Sequence, residues 1–328
     1  MLRAASVGLG WWSDELAGSI QGKSALLRIT ACSSRSADKR AAFAQKFGAK
    51  PCETYEAVLA DPAIDAVILT TPHSLHAAHV TQAARAGKHV FVEKPFDVSA
   101  RAAQSAAEAC RKAGVVLAVG HNRRFAPAAL AIKRMVGEGG FGQLLHAEAQ
   151  FSNPSALSYT PERWRASRAE SPGGGIAGMG VHMIDLLQWM LGPIARVRSL
   201  AKRQALKVDI DDTTSALFEF ASGQTAYLGT LTASPRQNYF YLYGTAANAY
   251  ARVDDNELTL QRAGAVKPEP VALTPVDTLH AELEAFARAV AGGPAFPVPP
   301  EDAIHTVAVM EAMVASAAAD GAPVKPAF

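Results

Sequence analysis

"RAASVGLGWWS" (residues 3–13) decides the fold: a short run of small and β-branched residues ends in glycine–x–glycine and passes into residues that suit a helix. An apolar run of this length suits a strand buried on both faces, as in a parallel sheet. The pattern recurs at "LLRITACS" (26–33), "DAVILTT" (65–71), "KHVFVE" (88–93) and "GVVLAVG" (114–120). Alanine-rich stretches fill the gaps. "SADKRAAFAQKFG" (36–48) opens on a capping Ser36 and stops at Gly48. "SLHAAHVTQAARAG" (74–87) repeats this with Ser74 as cap and Gly87 as stop, and 99–114 does so from Ser99 to Gly114. A short strand near "AKPCE" (49–53) and a short helix at "YEAVLAD" (55–61) complete six strand–helix units. Parallel strands joined this way need right-handed crossovers that cover both faces. The expectation is an α/β, doubly wound Rossmann sheet over residues 1–121.

In such a sheet the loop after the first strand brings backbone N–H groups and a helix N-terminus against a pyrophosphate. Gly8 permits the tight turn, and Gly10 lets backbone approach phosphate. Ser13 stands where a third glycine or alanine is expected. Trp11 and Trp12 line the same loop, and at least one of them is expected to pack rather than touch cofactor. An acidic residue usually ends the second strand and holds the ribose of NAD. Here the stretch is "CSSRS" (32–36), so Ser34 and Arg35 occupy that place without a carboxylate. An arginine among hydroxyls suits a 2′-phosphate through charge-assisted hydrogen bonds, which favours NADP over NAD.

A chain of 328 residues is long for one core, so a second domain is expected over 122–328. The net charge of +2 comes from interspersed acids and bases and points to no nucleic-acid face. Cys32, Cys52 and Cys110 are scattered without CxxC spacing, which argues against a disulfide framework or a zinc site and fits a reducing compartment. No run of 18 apolar residues and no leader-like N-terminus is present, so a cytoplasmic protein with no membrane partner is expected.

"TPHSLHAAHVTQAARAGKHVFVEKPF" (71–96) makes the chain recognisable. With the glycine loop, "GHNRRF" (120–125), "WR" (164–165) and "PGGGIAGMGVHMIDLLQWMLG" (172–192), it resembles the glucose–fructose oxidoreductase / inositol dehydrogenase / MocA (Gfo/Idh/MocA) family over nearly its whole length. The resemblance implies that Lys94 of the Glu-Lys-Pro motif faces nicotinamide and substrate. Burial and a nearby oxidised nicotinamide favour its neutral amine, which can accept a hydroxyl proton as hydride leaves carbon. It also implies a cis Pro95, Glu93 on the nicotinamide ribose or amide, and Thr71, Pro72, His73 and His76 on the cofactor. His182 is implied in proton transfer or hydroxyl binding, in the first turn of a helix whose apolar residues Val181, Ile184, Leu187, Met190 and Leu191 form a buried face. Many members place an aspartate four residues before this histidine, where this chain has Gly178. Asp185 reads as a structural group. Asn122 is assigned to cofactor; one of Arg123 and Arg124, taken as Arg123, faces substrate, and the other pairs on the surface. Trp164 marks a wall, and Arg165 reaches cofactor or substrate by the same resemblance.

Past residue 121 the strand–helix rhythm stops. "LLHAEAQF" (144–151), "VRSLAKRQA" (197–205), "TTSALFEFA" (213–221), "QTAYLGTLTA" (224–233) and "QNYFYLYGT" (237–245) alternate apolar and polar residues, as antiparallel strands with one covered face do. The family analogue is an open, mainly antiparallel sheet backed by helices, whose outer face makes a homodimer or homotetramer. Tyr239, Phe240, Tyr241 and Tyr243 suit either that face or the core. The activity expected is hydride transfer between NADP or NAD and a hydroxyl or carbonyl of a sugar, cyclitol or similar polyhydroxylated molecule. Two alternatives are an NAD-dependent glycosidase-type enzyme and a non-catalytic dinucleotide-binding regulator.

Overall fold

The computed structural model describes residues 1–327. Two compact units divide the chain. The first holds Met1–Asp97, Arg101–Asn122 and Asp277–Ala303; the second holds Val98–Ala100, Arg123–Val276 and Ile304–Phe328. The expected boundary at residue 121 therefore needs one correction, because Asp277–Ala303 returns to the first unit. Sequence separation hides this return: the segment's apolar face packs on strands more than 180 residues earlier.

In the first unit, strands β1 (Leu2–Val7), β2 (Leu27–Ser33), β3 (Lys50–Cys52), β4 (Ala66–Leu69), β5 (His89–Glu93) and β6 (Leu117–Gly120) form one sheet in the order β3-β2-β1-β4-β5-β6. Every pairing is parallel. Helices α1 (Trp11–Ile20), α2 (Ala37–Phe47), α3 (Tyr55–Ala60), α4 (His76–Arg85) and α5 (Ala100–Ala113) are the crossovers. Ser36 caps α2 by accepting from the Lys39 amide, and Gly48 ends it at φ +68°. Ser74 does not cap its helix: it lies inside a 3-10 turn, His73–Leu75, and α4 starts at His76. The chain enters α4 already coiled, so no extended capping residue is needed. The strand order reverses between β1 and β4, and such a reversal opens a crevice at the carboxyl ends of the strands.

In the second unit, α6 (Pro127–Gly137) and α7 (Val181–Leu191) pack with β7 (Leu144–Ser152), β8 (Ile194–Lys202), β9 (Thr213–Phe220), β10 (Thr225–Leu231), β11 (Gln237–Gly244), β12 (Ala247–Arg252), β13 (Glu257–Arg262) and β14 (Glu269–Pro270). The sheet runs β14-β13-β12-β11-β7-β10-β9-β8, and all of its ladders except β7–β10 are antiparallel. Period-two alternation separates the β11 aromatics: Phe240 enters the core, while Tyr239 and Tyr241 stack on the outer face at 4.5 Å between centroids. α7 is buried on all its faces rather than on one stripe, with only Trp189 partly exposed. Ile176–Gly180 forms a π-helical turn directly before it. Two late helices, α8 (Thr278–Val290) and α9 (Pro300–Ala318), complete the chain. Among the described residues, no helix is long and apolar enough to cross a membrane.

Candidate active site

Gly8, at φ +91°, turns the chain out of β1; a Cβ there would lie 2.7 Å from the Thr71 backbone nitrogen. Any other residue would strain the backbone and collide with the loop after β4. Ser13 is buried, and it explains the missing third glycine. Its hydroxyl donates to the Gly10 carbonyl at 2.7 Å and accepts from the Gly10 amide at 2.8 Å. The Gly10 amide is thereby committed within the loop. The first-turn amides of α1 still have no intrahelical acceptor and carry the positive end of the helix dipole. Trp12 adds a buried indole Nε1 without a partner, whereas Trp11 is 73% exposed. Gly10 faces open space. These features fit a dinucleotide diphosphate.

At the carboxyl end of β2, Ser34 is half-buried and Arg35 exposed. Arg40, one turn into α2, donates to the Ser34 carbonyl at 2.6 Å. It brings a second guanidinium to this corner, which sequence spacing did not single out.

Lys94 follows β5 directly and is half-buried, with Glu93 buried beside it. The Lys94–Pro95 bond is cis. His76 lies at 2.8 Å from both the Pro95 carbonyl, through Nδ1, and the Thr71 carbonyl, through Nε2. The ring therefore bridges two backbone segments next to Lys94, and a neutral imidazole donates to one of these carbonyls. His73 is buried edge-on to His76 at 6.0 Å between ring centroids. Thr71 accepts or donates at 3.1 Å to His79 Nδ1, and Pro72 leads into the 3-10 turn. Asn122 follows β6 and donates to Thr278 Oγ1 at 3.1 Å, and its buried Oδ1 has no partner. Gly8, Thr71, Lys94 and Asn122 thus stand at the carboxyl ends of four adjacent strands, β1, β4, β5 and β6.

In the second unit, His182 is buried in the first turn of α7, with its ring 6.0 Å from that of Phe151. The Arg123 guanidinium lies over the same Phe151 ring at 4.4 Å and donates to Asp254 Oδ2 at 2.8 Å. Asn238 donates to that carboxylate too. Burial pushes Asp254 upward, but Arg123, Arg236 and Asn238 outweigh it and hold the group below the usual carboxylate range. Phe151, Asn238 and Asp254 carry no recognisable motif, so the sequence alone did not find them.

Arg124 does not pair on the surface. It is a core residue whose guanidinium grips Asp185 through Nε and Nη2, at 2.7–3.1 Å. At Gly174, φ is +64° and a Cβ would fall 1.8 Å from the Asp211 carbonyl, so this glycine serves close packing of the chain. Gly178, in the place of the family aspartate, faces open space. Arg165 stacks on Trp164 at 4.0 Å, and both are half-buried. Among the described residues, no group of three or more His, Cys, Asp or Glu could hold a metal ion.

Residues 2–121 match the oxidoreductase family with an NAD-binding Rossmann fold, and residues 129–250 match the Gfo/Idh/MocA C-terminal domain. The chain is 29% identical over 303 residues to a 1,5-anhydro-D-fructose reductase of Ensifer adhaerens, covering 88% of this chain and 89% of the relative. It is 30% identical over 271 residues to a D-xylose 1-dehydrogenase (NADP(+)) of Haloferax volcanii, covering 80% and 81%. A solved oxidoreductase structure from Desulfitobacterium hafniense superposes with a TM-score of 0.92 at 33% identity, over 99% of this chain and 97% of that one. With both of its domains matched in order, the chain belongs to the Gfo/Idh/MocA family of NAD(P)-dependent oxidoreductases.

Proposed function

We propose that the protein transfers hydride between NADP and a hydroxyl or carbonyl of a sugar, cyclitol or similar polyhydroxylated molecule in the cytoplasm. The observation that carries this is Lys94 at the carboxyl end of β5, at the same end of the sheet as the glycine loop and helix terminus that follow β1. When bound, the nicotinamide supplies the hydride chemistry. Lys94 handles the hydroxyl proton, and Glu93 and Asn122 hold the cofactor's nicotinamide end. His182 and Arg123, which share Phe151, bind substrate hydroxyls in the second unit. The relatives cited are a reductase and a dehydrogenase, which favours net hydride transfer over glycosidic cleavage or a purely regulatory role. A cofactor-linked absorbance screen over sugars, cyclitols and dihydrodiols tests the reading. NADP binding with no turnover on any of them would favour the regulator.

NADP is favoured because Arg35 follows the end of β2, where no carboxylate stands, and Arg40 donates to the neighbouring Ser34 carbonyl. Arg35→Asp is expected to weaken NADP binding about tenfold or more, the scale of one charge-assisted contact, and to leave NAD binding equal or better. Fluorescence titration with both cofactors measures this. Unchanged NADP affinity would remove Arg35 from the site.

The outer face of the second sheet is assigned to a homo-oligomer. It carries the tyrosine stack and two exposed leucines, Leu200 and Leu217, on adjacent strands. Leu217→Glu is expected to reduce the mass measured by light scattering to that of one chain. A single-chain mass for the unaltered protein would refute the assignment.

A further inference from the structure

α8 buries Glu282, Leu283, Phe286 and Ala287 on one face. Phe286 meets Phe91 of β5 at 5.9 Å between ring centroids. Alternate strand residues share a face, so Glu93 lies on the same side of β5 as Phe91, about 6.6 Å further along. Glu282 lies one helical turn before Phe286, about 6 Å away along α8. The register that pairs the two phenylalanines therefore brings the two glutamates together at the carboxyl end of β5. Gly120, opposite Glu93 in β6, makes room: a Cβ there would sit 2.9 Å from Glu93 Oε1 and 3.1 Å from the Phe91 ring.

Glu282 is unusual for a carboxyl group. It is 0% exposed, and neither of its oxygens has a hydrogen-bond partner. An ionised carboxylate in that state would keep the full desolvation cost with nothing to offset it. The charged groups that act on it are Glu93 and Lys94 at the end of β5 and Asp277, the N-cap of its own helix. Burial first, and then Glu93, hold its carboxyl well above the usual range, against the pull of Lys94.

We propose that Glu282 is a positioning residue for Lys94, a buried acid that keeps its proton at neutral pH so that one carboxylate, not two, faces the lysine. Two ionised glutamates would hold Lys94 cationic, and a cationic amine cannot accept a hydroxyl proton. Where Glu282 releases its proton, its titration merges with that of Lys94 into macroscopic steps shared by the pair. This role rests on the assignment of Lys94 to proton transfer, but its tests do not require turnover.

Glu282→Gln replaces a neutral acid by a neutral isostere and can no longer ionise. At neutral pH the infrared spectrum of the unaltered protein is expected to contain a protonated-carboxyl C=O band that Glu282→Gln loses. With ¹³C-labelled lysine, the Lys94 Cε resonance, assigned by its absence in Lys94→Arg, is expected to titrate in two steps in the unaltered protein and in one step in Glu282→Gln. Thermal unfolding is a third readout. Between the unfolded glutamate value, about 4.3, and the raised folded value, the folded chain keeps a proton that the unfolded chain has released. Stability therefore falls as pH rises through that window, and Glu282→Gln removes this fall. The Tm of Glu282→Gln should exceed that of the unaltered protein at neutral pH and converge with it below the unfolded value. No lost infrared band, or superimposable Lys94 titrations, would overturn the proposal. If Lys94→Ala stays active while both signatures appear, the pairing stands and the catalytic reading of Lys94 fails.

Discussion

Lys94→Ala is expected to lower kcat by about 10²–10⁴-fold, the usual contribution of one positioned acid–base group, and to leave NADP(H) affinity within a few-fold. Two features motivate the separation. Lys94 is a half-buried amine at the carboxyl end of β5, where strand ends open on the ligand crevice. The groups assigned to the diphosphate and the 2′-phosphate lie elsewhere, on the β1–α1 loop and at the end of β2. Truncating the lysine should therefore remove proton handling and spare most of the binding surface. Stopped-flow reduction of NADP by whichever substrate the screen finds, paired with a fluorescence titration of NADPH, reads the two quantities independently. A variant that turns over at the unaltered rate would end the assignment. A variant that no longer binds NADPH would make Lys94 a binding group instead.

The second large effect concerns stability. Asp185→Ala is expected to cost about 3–5 kcal/mol, because it leaves the Arg124 guanidinium buried without its carboxylate. The pair is closed off from solvent: each side chain is 1% exposed, and Nη2 lies 2.7 Å from Oδ1. Arg124 also lies 5.4 Å from the Trp189 ring, one turn after Asp185 on the same face of α7. Urea unfolding should show a lower midpoint for Asp185→Ala and a smaller loss for Asp185→Asn, which keeps an oxygen acceptor. Replacing both partners by apolar residues of similar volume should recover much of the loss, since neither charge is then left unpaired. An Asp185→Ala midpoint equal to that of the unaltered protein would show that Arg124 can reach water. His182 sits three residues before Asp185 on the same helix, so activity and stability should fall together in Asp185→Ala but separately in Lys94→Ala.

These two residues also show how legibility was divided. Lys94 could be placed from the chain alone, since a strand-forming run followed by Glu-Lys-Pro puts a charge at a strand end whatever surrounds it. Ser36 and Gly48 were equally local, because a cap depends on its own turn and is confirmed by one amide and one positive φ. Arg123 and Arg124 could not be sorted. Adjacent in sequence, they go to different carboxylates, Asp254 and Asp185, which lie 131 and 61 residues away. Ser74 failed as a cap for a related reason, since a 3-10 turn took the place of an extended residue. Ser13 read as a defect in the glycine loop, yet its hydroxyl closes that loop.

Local pattern by itself determined the six strands and their five crossover helices, the glycine turn, the carboxyl-end position of Lys94 and the change to alternating strands after residue 121. Short-range sterics and period fix such features, and a few neighbouring residues suffice to specify them. Tertiary structure alone decided what stands beside each buried polar group: Glu93 near Glu282, Asp185 against Arg124, and two backbone carbonyls against the His76 ring. The return of residues 277–303 to the first unit belongs with them. The cost of a charge depends on what long-range packing places beside it, and a helix with a glutamate one turn before a phenylalanine does not reveal which strand it will cover.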